Sequence, residues 1–157
     1  MPVPKGDLME LVNWTWGLSL IVLTIALHVT GVIVLAFLGL RIRVRIASRR
    51  LGLRYLIPIV IGWVTAVALV LTVLHGIEAA IWAAAYLWLR AFDSPLNAIL
   101  YSVDSIATRG ASGLRLPGHW RMMGALEAVN GMVLFGISTA YIFAVMQTWW
   151  PMLSRRH

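Results

Sequence analysis

Long apolar runs, broken at wide intervals by single ionisable residues, set the organisation of this chain. From Trp14 to Leu40 no side chain carries a formal charge. A second run extends from Leu56 to Leu89, interrupted only by His75 and Glu78. A third, Met122 to Trp150, contains Glu127 alone and meets Pro151. Crossing about 30 Å of hydrocarbon takes roughly 20 apolar residues in a helix. The pattern therefore predicts three transmembrane helices, over 14–40, 56–89 and 122–150, with Pro151 stopping the third. The second would be about 51 Å long as one straight helix, more than the membrane needs. It either tilts and projects into water or breaks near Gly76, leaving 79–89 at the interface.

The periodicity changes between the second and third runs. Leu96, Ile99, Leu100, Val103 and Ile106 recur at helical spacing. Asp93 or Ser94 followed by Pro95 supplies a helix cap and first turn. The predicted helix, 95–107, is too short to cross a bilayer. Small residues follow it in the loop Thr108, Arg109, Gly110, Ala111, Ser112, Gly113, and then Leu114 to Pro117. A short helix dipping inward, then a glycine-containing return, is expected to be a re-entrant loop. Irregular backbone at membrane depth is tolerated only inside protein or along a water-filled cavity, so such a loop implies a pore or a buried site.

SVDSIATRGASGL ahead of GALEAVNGMVLFGISTAYIFAVM, in the order helix, re-entrant loop, helix, resembles the pore module of the potassium-channel superfamily. The resemblance covers about residues 56–148 and omits the first helix. Together with the apolar runs it implies an all-α membrane protein: an N-terminal helix and Arg-rich loop in 1–55, read from the runs alone, then a pore module in 56–150 and a short tail in 151–157. It also implies a homotetramer around a four-fold axis and passive conduction of an inorganic ion, a cation being favoured. In that family the loop is a filter of pattern Thr-Val-Gly-Tyr-Gly whose carbonyls replace the ion's water shell. Thr108 and Gly110 match its threonine and first glycine. Arg109 stands in place of valine, Ala111 of tyrosine and Ser112 of the second glycine; Gly113 follows one position late.

Arg109 has two possible placements. Some relatives carry a carboxylate behind the filter, and Asp104 would hold Arg109 there, with Glu78 as a second candidate. Otherwise four guanidinium groups would aim at the axis, each repelling a cation by about 2 kcal/mol at roughly 8 Å and an effective dielectric near 20. An anion-permeable or weakly selective pore, or a non-conducting scaffold or regulatory subunit, are then the alternatives. The resemblance further suggests Gly131 and Gly136 as hinges of the inner helix, or simply as close-packing positions. Leu134, Ser138, Tyr141, Ile142 and Val145 are candidates to face its cavity.

Composition and charge sharpen this picture. The chain is 61% hydrophobic and only 12% charged, against about 25% charged in soluble domains, which excludes a soluble enzyme. The net charge of +7 would suit nucleic acid if it were spread over a soluble surface. It is not spread: RIRVRIASRRLGLR, residues 41–54, holds six Arg and no acid, and Arg155 and Arg156 follow the third helix. This asymmetry predicts a cytoplasmic 41–54 loop and C-terminus, with the N-terminus outside, as in a bacterial inner membrane. Anionic lipid is the expected partner of the Arg-rich loop, and no nucleic acid is expected. The polar start and long first run do not match a cleaved signal. Tryptophans at 14, 16, 88 and 120 would mark the outer interface, and those at 149 and 150 the inner one.

Among the remaining ionisable residues, His75 and Glu78 share a helix face, as a sensing pair or as polar packing against the short helix. Glu127 could pair with Arg115 or Arg121 at an outer mouth and concentrate cations, or could serve the helix dipole. His28, alone on an apolar helix, is expected to make a structural hydrogen bond. With no cysteine and no phosphate loop, HExxH or GxSxG, no enzyme activity, metal or cofactor is expected.

Overall fold

A computed structural model describes residues 5–48, 52–110 and 112–154, with side chains from Glu10 onward. The chain is 87% helix, and no strand occurs among the described residues. Among the described residues four helices follow one another: α1 (Lys5–Ala47), α2 (Leu53–Trp88), the short α3 (Pro95–Ile106) and α4 (Arg121–Ser154), with a 3-10 turn at Gly118–Trp120 leading into α4. The helices α1, α2 and α4 are long and apolar enough to cross a membrane.

The helices α1 and α4 outrun their apolar stretches because packing holds the added turns. α1 continues through Arg41, Arg43 and Arg45 to Ala47, so half of the expected Arg-rich loop is helix. Arginine is a good helix former, and Ile42 and Ile46 keep the turn packed on Leu56, Val145 and Trp149. Nothing breaks the helix before Ser48. Arg49, Arg50, Ala111, Arg155 and Arg156 lie outside the described residues.

The expected alternative of a break near Gly76 does not occur. α2 is one helix of 36 residues, about 54 Å long, because a lone glycine weakens a helix by about 1 kcal/mol and does not end it. Pro151, expected to stop the third helix, lies inside α4. Proline removes one backbone bond, and the packing of Met152 and Leu153 on the same Leu56–Trp149 cluster retains the final turn.

The chain divides into two compact units. The first comprises residues 1–27 and 75–135. Trp82, Tyr86 and Met123 are its fully buried anchors, joined by Leu20, Ile106 and Trp120. Between membrane-embedded helices such side chains contribute through close van der Waals packing rather than through exclusion of water. The second unit comprises residues 28–74 and 136–157. Its interior is two apolar clusters, Leu35 with Val67 and Leu71, and Leu56 with Val145 and Trp149.

Trp14, Trp16, Trp88 and Trp150 project outward, as expected of interfacial residues. Trp120 and Trp149 are core residues instead. Large apolar side chains such as Val22, Phe37, Leu69, Val73 and Phe143 are also exposed, a surface suited to hydrocarbon rather than water.

Candidate functional site

The short helix and the loop after it, within the first unit, gather most of the candidate residues. α3 starts where Ser94, in an extended conformation, offers its hydroxyl oxygen to the amide of Asn97, and Pro95 occupies the first turn. The expected 95–107 helix is thus seen as Pro95–Ile106, capped by Ala107.

Its end explains the loop. Thr108 N–H donates to the Ser105 carbonyl and Arg109 N–H to the Asp104 carbonyl, both at 2.9 Å. Thr108 has φ 53°. This is the reversed, left-handed helix terminus called a Schellman motif, usually made by glycine. A β-branched residue there carries strain of about 1–2 kcal/mol. Thr108 therefore closes a helix.

The same motif brings the side chain three from the helix end against the second residue beyond the cap. Here these are Asp104 and Arg109. Arg109 Nε donates to Asp104 Oδ1 at 2.8 Å, and Ser112 N–H donates to the other oxygen, Oδ2, at 2.8 Å. One carboxylate so ties both strands of the turn. Asp104 is 5% exposed and the Arg109 side chain 68% exposed. The ion pair is worth at most about 1 kcal/mol because water screens it, whereas the charge-assisted bond to the Ser112 amide is worth about 1.5–3 kcal/mol. Gly110 and Gly113 adopt φ 60° and φ 71°, open to glycine at no steric cost. Ala111 lies outside the described residues.

Of the two candidate carboxylates for Arg109, then, Asp104 holds it within the chain. Glu78 is fully buried and faces His75, with Nδ1 to Oε2 at 3.2 Å. Phe135 stacks on the His75 ring at 4.4 Å.

Behind α3 the interior is polar as well as aromatic. Glu127, a candidate either for an outer mouth with Arg115 or Arg121 or for the helix dipole, is fully buried. Its Oε2 accepts from the Tyr86 hydroxyl at 2.8 Å, and Ser102, also buried, belongs to the same interior. A carboxylate one turn into α4 faces the protein here because the start of α4 packs on α3: Ser105 Oγ donates to the Gly124 carbonyl at 3.3 Å. Arg115 and Arg121 remain at the surface, where they line a shallow cavity of about 260 Å³ with Tyr101, Leu114 and Leu116.

Tyr101 packs edge-on to Tyr86 at 5.6 Å and against Phe92 at 5.3 Å, a cluster that clamps α3 to the end of α2. Burial, first, and the carboxylates of Glu127 and Asp104, next, push its phenol up to about 12, so the ring carries no charge at neutral pH. Tyr86 and Phe92 are not among the residues singled out from the sequence. Their only local signal is aromatic character at the end of an apolar run.

Gly131 and Gly136 separate. A Cβ on Gly131 would strike the Ile106 backbone, whereas Gly136 faces open space. Gly131 is a packing glycine that lets α4 lie against the last turn of α3. Leu134, Ser138 and Val145, among the candidates to face a cavity, are buried within the chain. Ser138 and His28 share a hydrogen bond at 3.0 Å in the second unit. Two further long-range bonds hold α1 in the first unit: Asn130 Nδ2 donates to Thr24 Oγ1 at 2.8 Å, and Asn13 Nδ2 donates to the His119 carbonyl.

No family model, curated protein or solved structure matches the chain.

Proposed function

We propose that this chain is one subunit of a potassium-channel-like membrane pore, a homotetramer that conducts small inorganic ions passively, cations in preference to anions. The observation that carries the reading is the twelve-residue α3 set between two membrane-length helices and followed by a loop whose backbone is held by Asp104 from behind. A helix of that length cannot cross a bilayer. Its Leu96, Leu100 and Val103 remain exposed, and those side chains gain most by meeting lipid or neighbouring copies. In this reading α3 and 108–113 dip into the membrane, and the exposed loop tips of four copies converge on an axis.

The Asp104–Arg109 pair makes such a ring compatible with cations, because the carboxylate offsets the guanidinium and lowers its repulsion of a permeating cation. The N-terminus would be external and the Arg-bearing end of α1 cytoplasmic, as the arginine asymmetry requires. The membrane would be an inner one of bacterial type.

A second reading, a non-conducting subunit that keeps the scaffold, is favoured by one observation. Thr108 is spent on closing α3, which removes its carbonyl from a continuous extended filter. Reconstitution into liposomes separates the two. Potassium or sodium flux together with a cross-linked tetramer supports the pore, and reversal potentials in salt gradients assign its charge selectivity. Intact tetramers without flux of any small ion would select the scaffold, and monomers without flux would remove both.

A further inference from the structure

The second unit carries arginines and no side-chain carboxylate, and one of those arginines lines an apolar groove. Every Asp and Glu of the chain, at 7, 10, 78, 93, 104 and 127, lies outside residues 28–74 and 136–157. The unit nevertheless carries Arg41, Arg43, Arg45 and Arg54. The ion pairs His75–Glu78 and Asp104–Arg109 belong to the other unit.

Arg43 differs from its neighbours Arg41 and Arg45. Those two are exposed, whereas Arg43 is half-buried and lines a groove of about 420 Å³. One wall is the stripe Ala36, Gly39, Leu40 and Arg43 on α1, which recurs at helical spacing. Tyr141, Ala144, Val145, Thr148 and Trp149 on α4 form the other, with Trp63 of α2 between them. The two walls run in the same sense, since Leu35 belongs to the cluster of Tyr141 and Ile142, and Ile42 to that of Val145 and Trp149. Arg43 therefore stands at the end of the groove where Thr148 and Trp149 lie, and the purely apolar part runs back over about two turns, or 10 Å.

A half-buried arginine at the end of an apolar groove, where a helix leaves hydrocarbon, buries its stem and offers its charged head to an anion. No side-chain carboxylate of its own unit can supply one. The occupant must then bring the anion and an apolar tail together, with the anion at the end where a helix leaves hydrocarbon. We propose that this groove binds an anionic phospholipid, its phosphate on Arg43 and one acyl chain along Gly39, Ala36 and Ala144. The larger groove of the same unit, about 730 Å³ between α2 and α4, has Thr65 and Gln147 but no charged side chain, and nothing there would select a headgroup. The site rests on the three membrane-length helices and not on ion conduction.

The test uses the full chain in nanodiscs of phosphatidylcholine with and without phosphatidylglycerol, released for native mass spectrometry to count retained lipid. The expected result is one phosphatidylglycerol kept per chain in preference to phosphatidylcholine. Arg43→Gln should weaken retention about fivefold or more, the factor for about 1 kcal/mol per arginine near anionic lipid. Arg41→Gln, which removes the same charge outside the groove, should leave retention nearly unchanged. Ala144→Leu, which fills the tail site and keeps Arg43, should lower retention. Thermal unfolding in pure phosphatidylcholine checks each variant's fold, and Ala36→Leu replaces Ala144→Leu if the latter does not fold.

Equal retention of both lipids overturns the proposal, as does an equal loss in Arg41→Gln and Arg43→Gln. So does displacement of the lipid by inorganic phosphate, which would mean that the anion alone is recognised. A groove already covered by a second copy would retain no lipid in any variant, and that result overturns it too.

Discussion

The end of α2 and the end of α3 use the same backbone turn. At the first, the amides of Arg90 and Ala91 return to the carbonyls of Leu87 and Tyr86; at the second, those of Thr108 and Arg109 return to Ser105 and Asp104. In each a non-glycine residue takes the left-handed position, Arg90 and Thr108 both at φ 53°. The motif then presses together the side chains at the third residue from the helix end and the second beyond the cap. At α2 these are Tyr86 and Ala91, both buried in the core. At α3 they are Asp104 and Arg109, an ion pair with one member in water. The apolar closure completes a core and asks for nothing else. The ionic closure leaves a second carboxylate oxygen, which captures the Ser112 amide and shapes the loop beyond. The same fold element is structural in one place and sets the geometry of a candidate site in the other.

That contrast breaks first at Asp104. Asp104→Ala should destabilise the α3 end by about 2–3 kcal/mol, because it strands the Ser112 amide and removes the counter-charge of Arg109. Hydrogen exchange at residues 109–113 should speed up while the amides of Arg90 and Ala91 stay protected. Unchanged exchange at Ser112 would show that the carboxylate does not hold the loop. Gly131→Ala comes next, at about 1–3 kcal/mol of overpacking, because its new methyl meets the Ile106 backbone one residue before the α3 cap. Gly136→Ala, with open space around it, should be neutral or stabilise by up to about 1 kcal/mol. Thermal unfolding of the pair in one detergent tests both. Similar losses at the two positions would contradict the close approach of α4 to α3.

On the α2 side, Tyr86→Phe should cost about 1–2 kcal/mol. It keeps the ring in the core and takes away the hydroxyl that Glu127 accepts from. A second change, Glu127→Gln, should then cost less in the Tyr86→Phe background than alone, since the pair no longer interacts while Ser102 and Ser105 remain beside it. Additive losses measured by thermal unfolding would show that the two groups are independent.

Legibility follows distance along the chain. The three long helices and α3 are set by runs and periodicities a few residues wide, and Ser94 with Pro95 is a local start signal, so all are readable from the sequence. Glu127 is not. Its burial depends on Tyr86, 41 residues away, and an acid near a helix start reads equally well as a surface group. The helical state of Arg41 to Arg45 is hidden for a different reason: charge density resembles a loop, while the packing of Ile42 and Ile46 that holds the helix comes from α2 and α4. Pro151 misleads in the same way. Asp104 and Arg109 can be paired from the sequence by charge and proximity. That Thr108 closes the helix cannot be read there, because a β-branched residue disfavours the left-handed turn and the tertiary setting overrides that preference.

Arg109→Val has a smaller effect on stability, below about 1 kcal/mol, since the pair is screened by water. It sharpens the comparison by making the α3 closure apolar on one side, like that of α2. If the proposed pore forms, the change should leave the assembly intact and raise cation flux in liposomes where the guanidinium limits the path. A loss of the assembly with no gain in flux would place Arg109 in support of the loop.

The smallest effects come from the left-handed residues themselves. Thr108→Gly and Arg90→Gly each relieve the same backbone strain, and each frees the unfolded chain, so the net gain is a few tenths to about 1 kcal/mol. The gain should be larger at 108, where the branched Cβ crowds the turn, than at 90, where the side chain is unbranched. If the order is reversed in thermal unfolding, the α3 end is the more relaxed of the two and Asp104, not the backbone, carries the whole geometry of the loop. If it holds, the threonine is retained at a cost in stability, and the position to examine for a compensating gain is the loop it introduces, through flux in Thr108→Gly beside flux in Arg90→Gly.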